Sequence, residues 1–377
     1  MINVLIIQRR MAEYRLSLFE LMRKRLSEEN VLLQVVSGTP SPEEFDRNDG
    51  GLLSWGLEIP CHYFHFKRFR LTFQPIPNTF LSKQDLIIIT HENLLLYNYW
   101  MLLWRRFVNK RIAFWGHGTN FQRNKKNSLS EKVKSWTANQ VDWWFAYTSL
   151  SVDKIISNGF PENRITCLNN TVDINELRNL RKSISLSEIK SLRKTLGICG
   201  RHVGVFIGSL HKDKRLNFLF EAADELRKRL PDFELIIIGD GPLRDMVRNK
   251  VANRLWSRWV GARHGLEKVL YLSLGKVMLN PGLVGLNILD SFAMGLPMVT
   301  TDCRIHSPEI DYLESGINGL MANNDCHSFV DGVLSLFSNT PLRDTMASAC
   351  ENDAGRYSLE KMVENFSDGI LKTLHTG

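Results

Sequence analysis

A chain of 377 residues with 44% apolar side chains is too long for one ordinary core and suits two domains, each able to fill its own. Its net charge of +8 is uneven: residues 1–180 hold 23 Lys and Arg against 17 Asp and Glu, the remainder 25 against 23. The six cysteines include no Cys-x-x-Cys pair, which argues against a zinc ribbon or a secreted disulfide framework, and no apolar run is long enough to span a bilayer.

Short apolar runs alternate with amphipathic helical patterns from end to end, the mark of α/β domains with parallel sheets. In the first half, strands are predicted at Val4–Ile7, Leu32–Val36, Leu86–Thr90, Ile112–Trp115, Trp143–Tyr147 and Ile165–Cys167. Helices fall near Tyr14–Glu29, Asn93–Asn109, Ser130–Asn139, Ser149–Ser157 and Ile174–Leu180. Residues 1–180 therefore read as a first domain, and the polar stretch 181–198, with no clear core face beyond one short helix, as a linker. The series restarts with strand Val203–Gly208, helix Leu216–Leu230, strand Phe233–Gly239, helix Pro242–Val251 and strand Trp256–Val260. Helix Leu266–Ser273, strand Lys276–Leu279, a helix carrying Asp290 and strand Met298–Thr301 follow. Residues 199–354 read as a second domain and 355–377 as a last helix. Two consecutive doubly wound sheets are expected, with ligands at the carboxyl ends of their strands.

The stretch Asn280–Thr300 carries the strongest chemical signal: strand, glycine turn, apolar helix, Gly-Leu-Pro, strand. A glycine-bearing loop that opens a helix leaves backbone N–H groups around Gly282, Val284, Gly285 and Leu286 aimed at one spot, where an anion such as phosphate is held. Asp290, one turn in, can accept from a sugar hydroxyl. Phosphate plus ribose means a nucleotide. A second turn, Gly208-Ser209-Leu210-His211-Lys212-Asp213-Lys214-Arg215, also follows a strand and opens a helix; its glycine lets a diphosphate near the backbone and a lysine neutralises it.

These segments resemble the donor-binding signature of retaining glycosyltransferases of the GT-B fold, family 4 in particular. The family pattern is Glu, seven residues, Glu, a small-residue helix and Gly-x-Pro; here Asp290 fills the second acidic position and Gly282 falls on the first. In the Gly208 turn, Lys214 matches the family lysine, Ser209 replaces its arginine, and Arg215 stands where glycine is common. Arg215 or Lys212 is available to replace the missing guanidinium. Gly239-Asp240-Gly241-Pro242 fits the family's Gly-x-Gly-Pro turn, which serves either ligand approach or the fold alone, and Arg263 in Val260-Gly261-Ala262-Arg263 falls where the nucleotide base is bordered. In the first half, the resemblance places His117, flanked by Gly116 and Gly118, near the transferred sugar. Arg9, Arg10 and Arg15 replace the glycines usual in the first loop, which suggests an anionic acceptor or the diphosphate; Arg15 is equally an ordinary helix-face residue. His91-Glu92-Asn93 offers either a carboxylate to an acceptor hydroxyl or a cap to the next helix.

The resemblance implies two Rossmann-like domains facing across a cleft, with the last helix returning to the first domain. It implies a hexosyltransferase-type enzyme that moves a sugar from a UDP-, GDP- or dTDP-linked donor to a glycan or lipid-linked glycan, with retention and without metal or other cofactor. Among the implied roles, Lys214 assists departure of the diphosphate, Asp290 holds the ribose and His117 the sugar. Two basic aromatic stretches, His65–Leu71 and Tyr99–Phe107, are candidate seats on an anionic membrane. A cytoplasmic chain, free or peripheral on the membrane face where surface polysaccharide and lipopolysaccharide precursors are built, is the expectation. The alternatives are a nucleotide-sugar epimerase or hydrolase of the same fold and a non-catalytic nucleotide-sugar-binding subunit; no nucleic-acid motif is present.

Overall fold

The computed structural model describes residues 1–41, 50–66, 69–92, 94–118 and 136–376. It divides into two compact units, Met1–Val172 with Leu359–Gly377, and Asp173–Ser358. Each is built on a parallel sheet, of seven strands in the first and six in the second, with helices against it.

In the first unit, β1 (Ile2–Gln8) is followed by α1 (Leu16–Ser27), β2 (Val31–Gly38), β3 (Leu57–Ile59) and an antiparallel hairpin of β4 (His62–Phe66) and β5 (Phe69–Phe73). Then come α2 (Asn78–Leu81), β6 (Leu86–Thr90), α3 (Leu96–Trp104), β7 (Arg111–Gly116), β8 (Trp143–Ala146), α4 (Ser149–Ser157) and β9 (Ile165–Cys167). The sheet order is β3-β2-β1-β6-β7-β8-β9, so the order reverses between β1 and β6. Alternate residues of β1 feed opposite cores: Val4 and Ile6 join Phe19, Trp115 and Phe366, while Leu5 and Ile7 join Ile87, Phe114 and Trp144. A sheet covered on both faces needs near-continuous apolar strands, which is why these runs are legible in the sequence.

The second unit opens with α5 (Ile174–Ser183) and α6 (Leu186–Thr195), continues through β10 (His202–Ile207), α7 (Leu216–Arg229), β11 (Phe233–Ile238), α8 (Arg244–Ala252), β12 (Ser257–Trp259), α9 (Gly265–Leu272), β13 (Val277–Asn280), α10 (Asn287–Met294), β14 (Met298–Thr301) and β15 (Gly319–Ala322), and closes with α11 (Cys326–Ser338) and α12 (Thr340–Arg356). Its order, β12-β11-β10-β13-β14-β15, is the doubly wound 3-2-1-4-5-6 arrangement, reversing between β10 and β13. The last helix, α13 (Leu359–His375), lies in the first unit, where Phe366 meets Trp115 and Phe145 at ring distances of 5.0 and 4.6 Å.

The stretch 181–198, expected as a linker, holds the end of α5 and all of α6 inside the second unit, and the division falls at Val172 and not at residue 180. Ile174 and Leu177 bury the inner face of α5 against α9 and α10. α6 is held by a capping box, Ser185 with Glu188, and buries no residue, so its sequence carries no apolar stripe to read. No helix among the described residues is long and apolar enough to cross a membrane.

Candidate functional site

Ligands of doubly wound sheets bind where the strand order reverses, beyond the carboxyl ends of the strands. In the second unit that point lies between β10 and β13, and the two loops leaving these strands are the Gly208–Arg215 and Pro281–Leu286 segments. Lys214 ends a short 3-10 turn, Lys212–Lys214, and its side chain is buried beneath Gly208, whose Cα backs onto the Lys214 Cε; a Cβ there would lie 3.3 Å from it. Its Nζ donates to the Leu283 carbonyl at 2.6 Å, and the Leu283 N–H donates to the Asp213 carbonyl at 2.9 Å. Burial pushes the Lys214 ammonium down to about 8, partly offset by the charges of Asp213 and Asp290. An ammonium has three donors, so the bond to Leu283 leaves two for another acceptor.

Gly282 has no room for any side chain. A Cβ there would stand 2.4 Å from the Asp213 carbonyl oxygen and 2.5 and 2.7 Å from the Lys214 carbonyl carbon and oxygen. The position where the resemblance expects a carboxylate is thus closed by the backbone of the other loop.

The Pro281–Leu286 loop is clamped on all sides. Thr301 Oγ1 donates to the Pro281 carbonyl at 2.8 Å. Arg215, in the left-handed conformation at φ 53°, sends Nη1 to that same carbonyl (3.1 Å), to Thr301 Oγ1 (2.9 Å) and to Asn324 Oδ1 (2.6 Å). Its guanidinium therefore ties three loops together, and this edge is not turned toward a phosphate. The Val284 N–H donates to His306 Nδ1 at 3.0 Å, the Ser307 N–H to the Val284 carbonyl at 2.9 Å, and the Gly285 N–H to Asn287 Oδ1 at 3.1 Å. The amides of Val284 and Gly285, expected as anion donors, are consequently committed within the protein. The N–H groups of Leu286 and Asn287, at the start of α10, have no protein acceptor among the described residues. Of the amides expected to be open, Leu286 thus remains so, and Asn287 joins it.

Asp290 is buried one turn into α10, and Lys268 Nζ from α9 sits 2.5 Å from its Oδ1. Lys268 carries no sequence signal beyond an amphipathic helix. Gly239 and Gly241 are needed for the fold: a Cβ on either would run into the backbone of Gly208 or Leu210, at 1.9 and 2.8 Å. Arg263 is engaged locally, donating to the Val260 carbonyl at 2.9 Å and to Glu267 at 3.0 Å, with its guanidinium over Tyr271. Ser209 is exposed at the mouth of the loop. The structure thus gathers Gly208, Lys214, Arg215, Gly282–Leu286 and Asp290 at one strand-order reversal.

His117 belongs to the first unit, just beyond β7, with its ring edge-on to Tyr147 at 4.4 Å. Thr119 and Asn120 after it lie outside the described residues. Arg15 is buried at the carboxyl ends of these strands, over Trp115 (4.9 Å) and Tyr147 (5.8 Å), and donates to Asn170 Oδ1 at 2.8 Å. It is therefore not an exposed helix-face residue. His91 is packed between Phe114 and Trp144, with Nε2 3.4 Å from Thr137 Oγ1, and Glu92 lies 3.8 Å from Arg9. Neither caps α3, whose N-cap is Leu95 without a side-chain bond; Asn93 lies outside the described residues. So do Lys67 and Arg68 of the first basic aromatic stretch. In the second, Met101 and Leu102 face the core, Trp100 stacks on Trp104 and on Tyr97 just before the stretch, and Leu103 and Phe107 are exposed.

Residues 201–339 match the family model described as "Glycosyl transferases group 1". Over 164 residues, 42% of this chain and 40% of the relative, the sequence is 25% identical to alpha-monoglucosyldiacylglycerol synthase of Acholeplasma laidlawii. Over 195 residues, 47% of each chain, it is 27% identical to alpha-D-kanosaminyltransferase of Streptomyces kanamyceticus. The chain thus spans less than half the length of these curated relatives. The crystal structure of Anabaena HepE in complex with UDP shares the fold across 99% of this chain and 100% of its own, with a TM-score of 0.73 at 15% identity. The loops around Lys214 and Asp290 fall inside the matched region, and its two Rossmann-like units give the chain the GT-B fold.

Proposed function

We propose that the protein transfers a sugar from a nucleoside-diphosphate donor to a hydroxyl of a glycan or lipid-linked glycan, retaining the anomeric configuration and drawing on no metal. The observation that supports this reading is the buried Lys214 ammonium, set at a strand-order reversal beside the open N–H groups of Leu286 and Asn287. Charge builds on the diphosphate as its bond to the sugar breaks. Donors already fixed in place stabilise that charge without having to reorganise. Asp290 is committed to Lys268 through Oδ1, and its other oxygen is the acceptor proposed for the ribose. His117 keeps the role the sequence resemblance implies, a hydrogen bond to the transferred sugar. In a retaining transfer without a covalent intermediate, the acceptor attacks the face the diphosphate leaves, and the departing phosphate takes the hydroxyl proton.

The acceptor side of the proposal is a lipid-linked glycan for surface polysaccharide, handled at a membrane. One curated relative is named as a synthase of a glycosylated diacylglycerol, and Leu103 and Phe107 are exposed beside Arg106. A thermal-shift screen against UDP, GDP, dTDP and ADP tests the donor reading: stabilisation by one of the four is expected, and none sinks it. Product NMR with the matching nucleotide sugar then tests retention, an inverted anomeric centre being the adverse result. Release of free sugar without acceptor would favour a hydrolase or epimerase.

A further inference from the structure

The geometry points to His306 as a positioning residue that fixes which backbone amides of the donor loop are offered to the diphosphate; the inference rests on the donor reading just given. His306 follows β14, in the segment Asp302-Cys303-Arg304-Ile305-His306-Ser307, and is buried. Its two ring nitrogens serve two different segments, the Pro281–Leu286 loop and the end of β14. Nδ1 accepts the Val284 N–H at 3.0 Å, and Nε2 lies 2.7 Å from the Thr301 carbonyl oxygen. An amide can only donate and a carbonyl can only accept, so the two contacts together set the neutral tautomer with its proton on Nε2.

The adjoining Ser307 N–H closes the clasp on the Val284 carbonyl at 2.9 Å. Residues 306 and 307 thus hold both polar groups of Val284. With that residue fixed, Gly285 turns its own N–H to Asn287 Oδ1 (3.1 Å), and Leu286 and Asn287 are left as the open amides at the start of α10. Without the acceptor on Nδ1, the Val284 N–H is a buried orphan and the loop must turn to satisfy it. That rotation carries the Leu286 and Asn287 donors away from where Lys214 and Asp290 expect the ligand. Among the described residues the titratable side chain against the ring is Cys303, whose Sγ lies 3.5 Å from Nε2, and Lys214 holds the carbonyl of Leu283, the residue before Val284.

Two substitutions separate positioning from mere packing. The side-chain oxygen of His306→Asn falls near Nδ1 and can still accept from Val284; the amide nitrogen of His306→Gln falls near Nε2 and can only keep the Thr301 bond. Affinity for the best-bound of UDP, GDP, dTDP and ADP is measured by calorimetry on the full chain, with melting temperature alongside. Asn is expected to bind within about threefold of the parent and Gln about tenfold more weakly, one hydrogen bond's worth. Equal affinity of both variants with the parent overturns the inference and leaves the donor reading standing; failure of the parent to bind any of the four overturns both. Histidine ¹⁵N NMR of the unaltered protein supplies a reading that needs no variant. A His306 ring with bare Nδ1 and protonated Nε2 is expected, with and without nucleotide, and the opposite tautomer overturns the inference.

Discussion

Placing a carboxylate at Gly282 is the obvious way to bring this chain closer to the family pattern it resembles, and the structure says it should fail. The obstacle is the first side-chain atom: a Cβ would sit 2.4 to 2.7 Å from the Asp213 oxygen and the Lys214 carbonyl, all backbone, where nothing can rotate aside. Gly282→Ala and Gly282→Glu should therefore cost nearly the same. Overpacking of this kind runs to about 1–3 kcal/mol. Pushing the loops apart also breaks the Leu283 to Asp213 bond (2.9 Å) and the Lys214 to Leu283 bond (2.6 Å), adding about 1 kcal/mol each. The sum, about 3–5 kcal/mol, corresponds to a fall in melting temperature of roughly 6–20 °C for a domain of this size. Differential scanning fluorimetry of both variants, with nucleotide titration, is the assay; nucleotide-dependent stabilisation should vanish along with the lost clamp. A Glu variant that melts with the parent, or markedly above the Ala variant, would refute the reasoning, because it would mean the loop has room for the carboxylate.

Three further outcomes follow from the same geometry. Lys214 titrates at about 8 in the folded chain against an unfolded value of 10.5. The unfolded chain therefore keeps this proton longer, so this residue makes stability rise with pH between those values; the ammonium that meets the diphosphate is meanwhile lost, and affinity should weaken by up to about tenfold per pH unit above 8. Between about pH 8 and 9 the nucleotide phosphates are ionised and the bases are still neutral, so calorimetry over that window reads the protein, and a flat profile contradicts the role of Lys214. Lys268→Met strips the partner from buried Asp290 and should cost about 3 kcal/mol, part of which Asp290→Asn returns in the double variant; an unshifted melting temperature in the single variant argues against a paired carboxylate. Glu234 stands at the opposite end of the second sheet, where it accepts from the Cys199 and Gly200 amides at 2.7 and 2.6 Å and lies 2.8 Å from Arg258 Nη1, off hydrogen-bond alignment. Glu234→Gln should lower the melting temperature by roughly 6–12 °C, for a loss of about 3 kcal/mol, while leaving nucleotide affinity unchanged; a loss of affinity would show that the two ends of the strands are coupled.

The strands that anchor both units are legible because each is buried on two faces, as Val4-Leu5-Ile6-Ile7 and Ile236-Ile237-Ile238 show. Where burial is partial, the signal goes. β3 buries one residue of three, Ile59, and β15 one of four, Gly319, so neither stands out from a loop. α5 is legible as a helix, since Ile174 and Leu177 mark its inner face, but an apolar stripe does not say which core it serves. That is decided by the packing against α9 and α10, a tertiary fact.

The site divides along the same line. Features set by a few consecutive residues can be read directly: glycine after a strand, a lysine in the turn, a helix start, an acid one turn in. What each loop touches cannot. In the sequence, Gly282 is a carboxylate lost; in space it is the contact that lets the Asp213–Lys214 backbone close over Leu283. Arg215 looks like a substitute cation for a missing guanidinium, yet its Nη1 is occupied by Pro281, Thr301 and Asn324. Lys268 and His306 come from a neighbouring helix and a loop beyond the next strand, and no motif flags either. These substitutions are coupled through the fold. A glycine at 282 permits the clamp, Arg215 and Thr301 hold its start, and His306 holds its middle. Reverting one position toward the family pattern should therefore damage the loop unless its partners change with it.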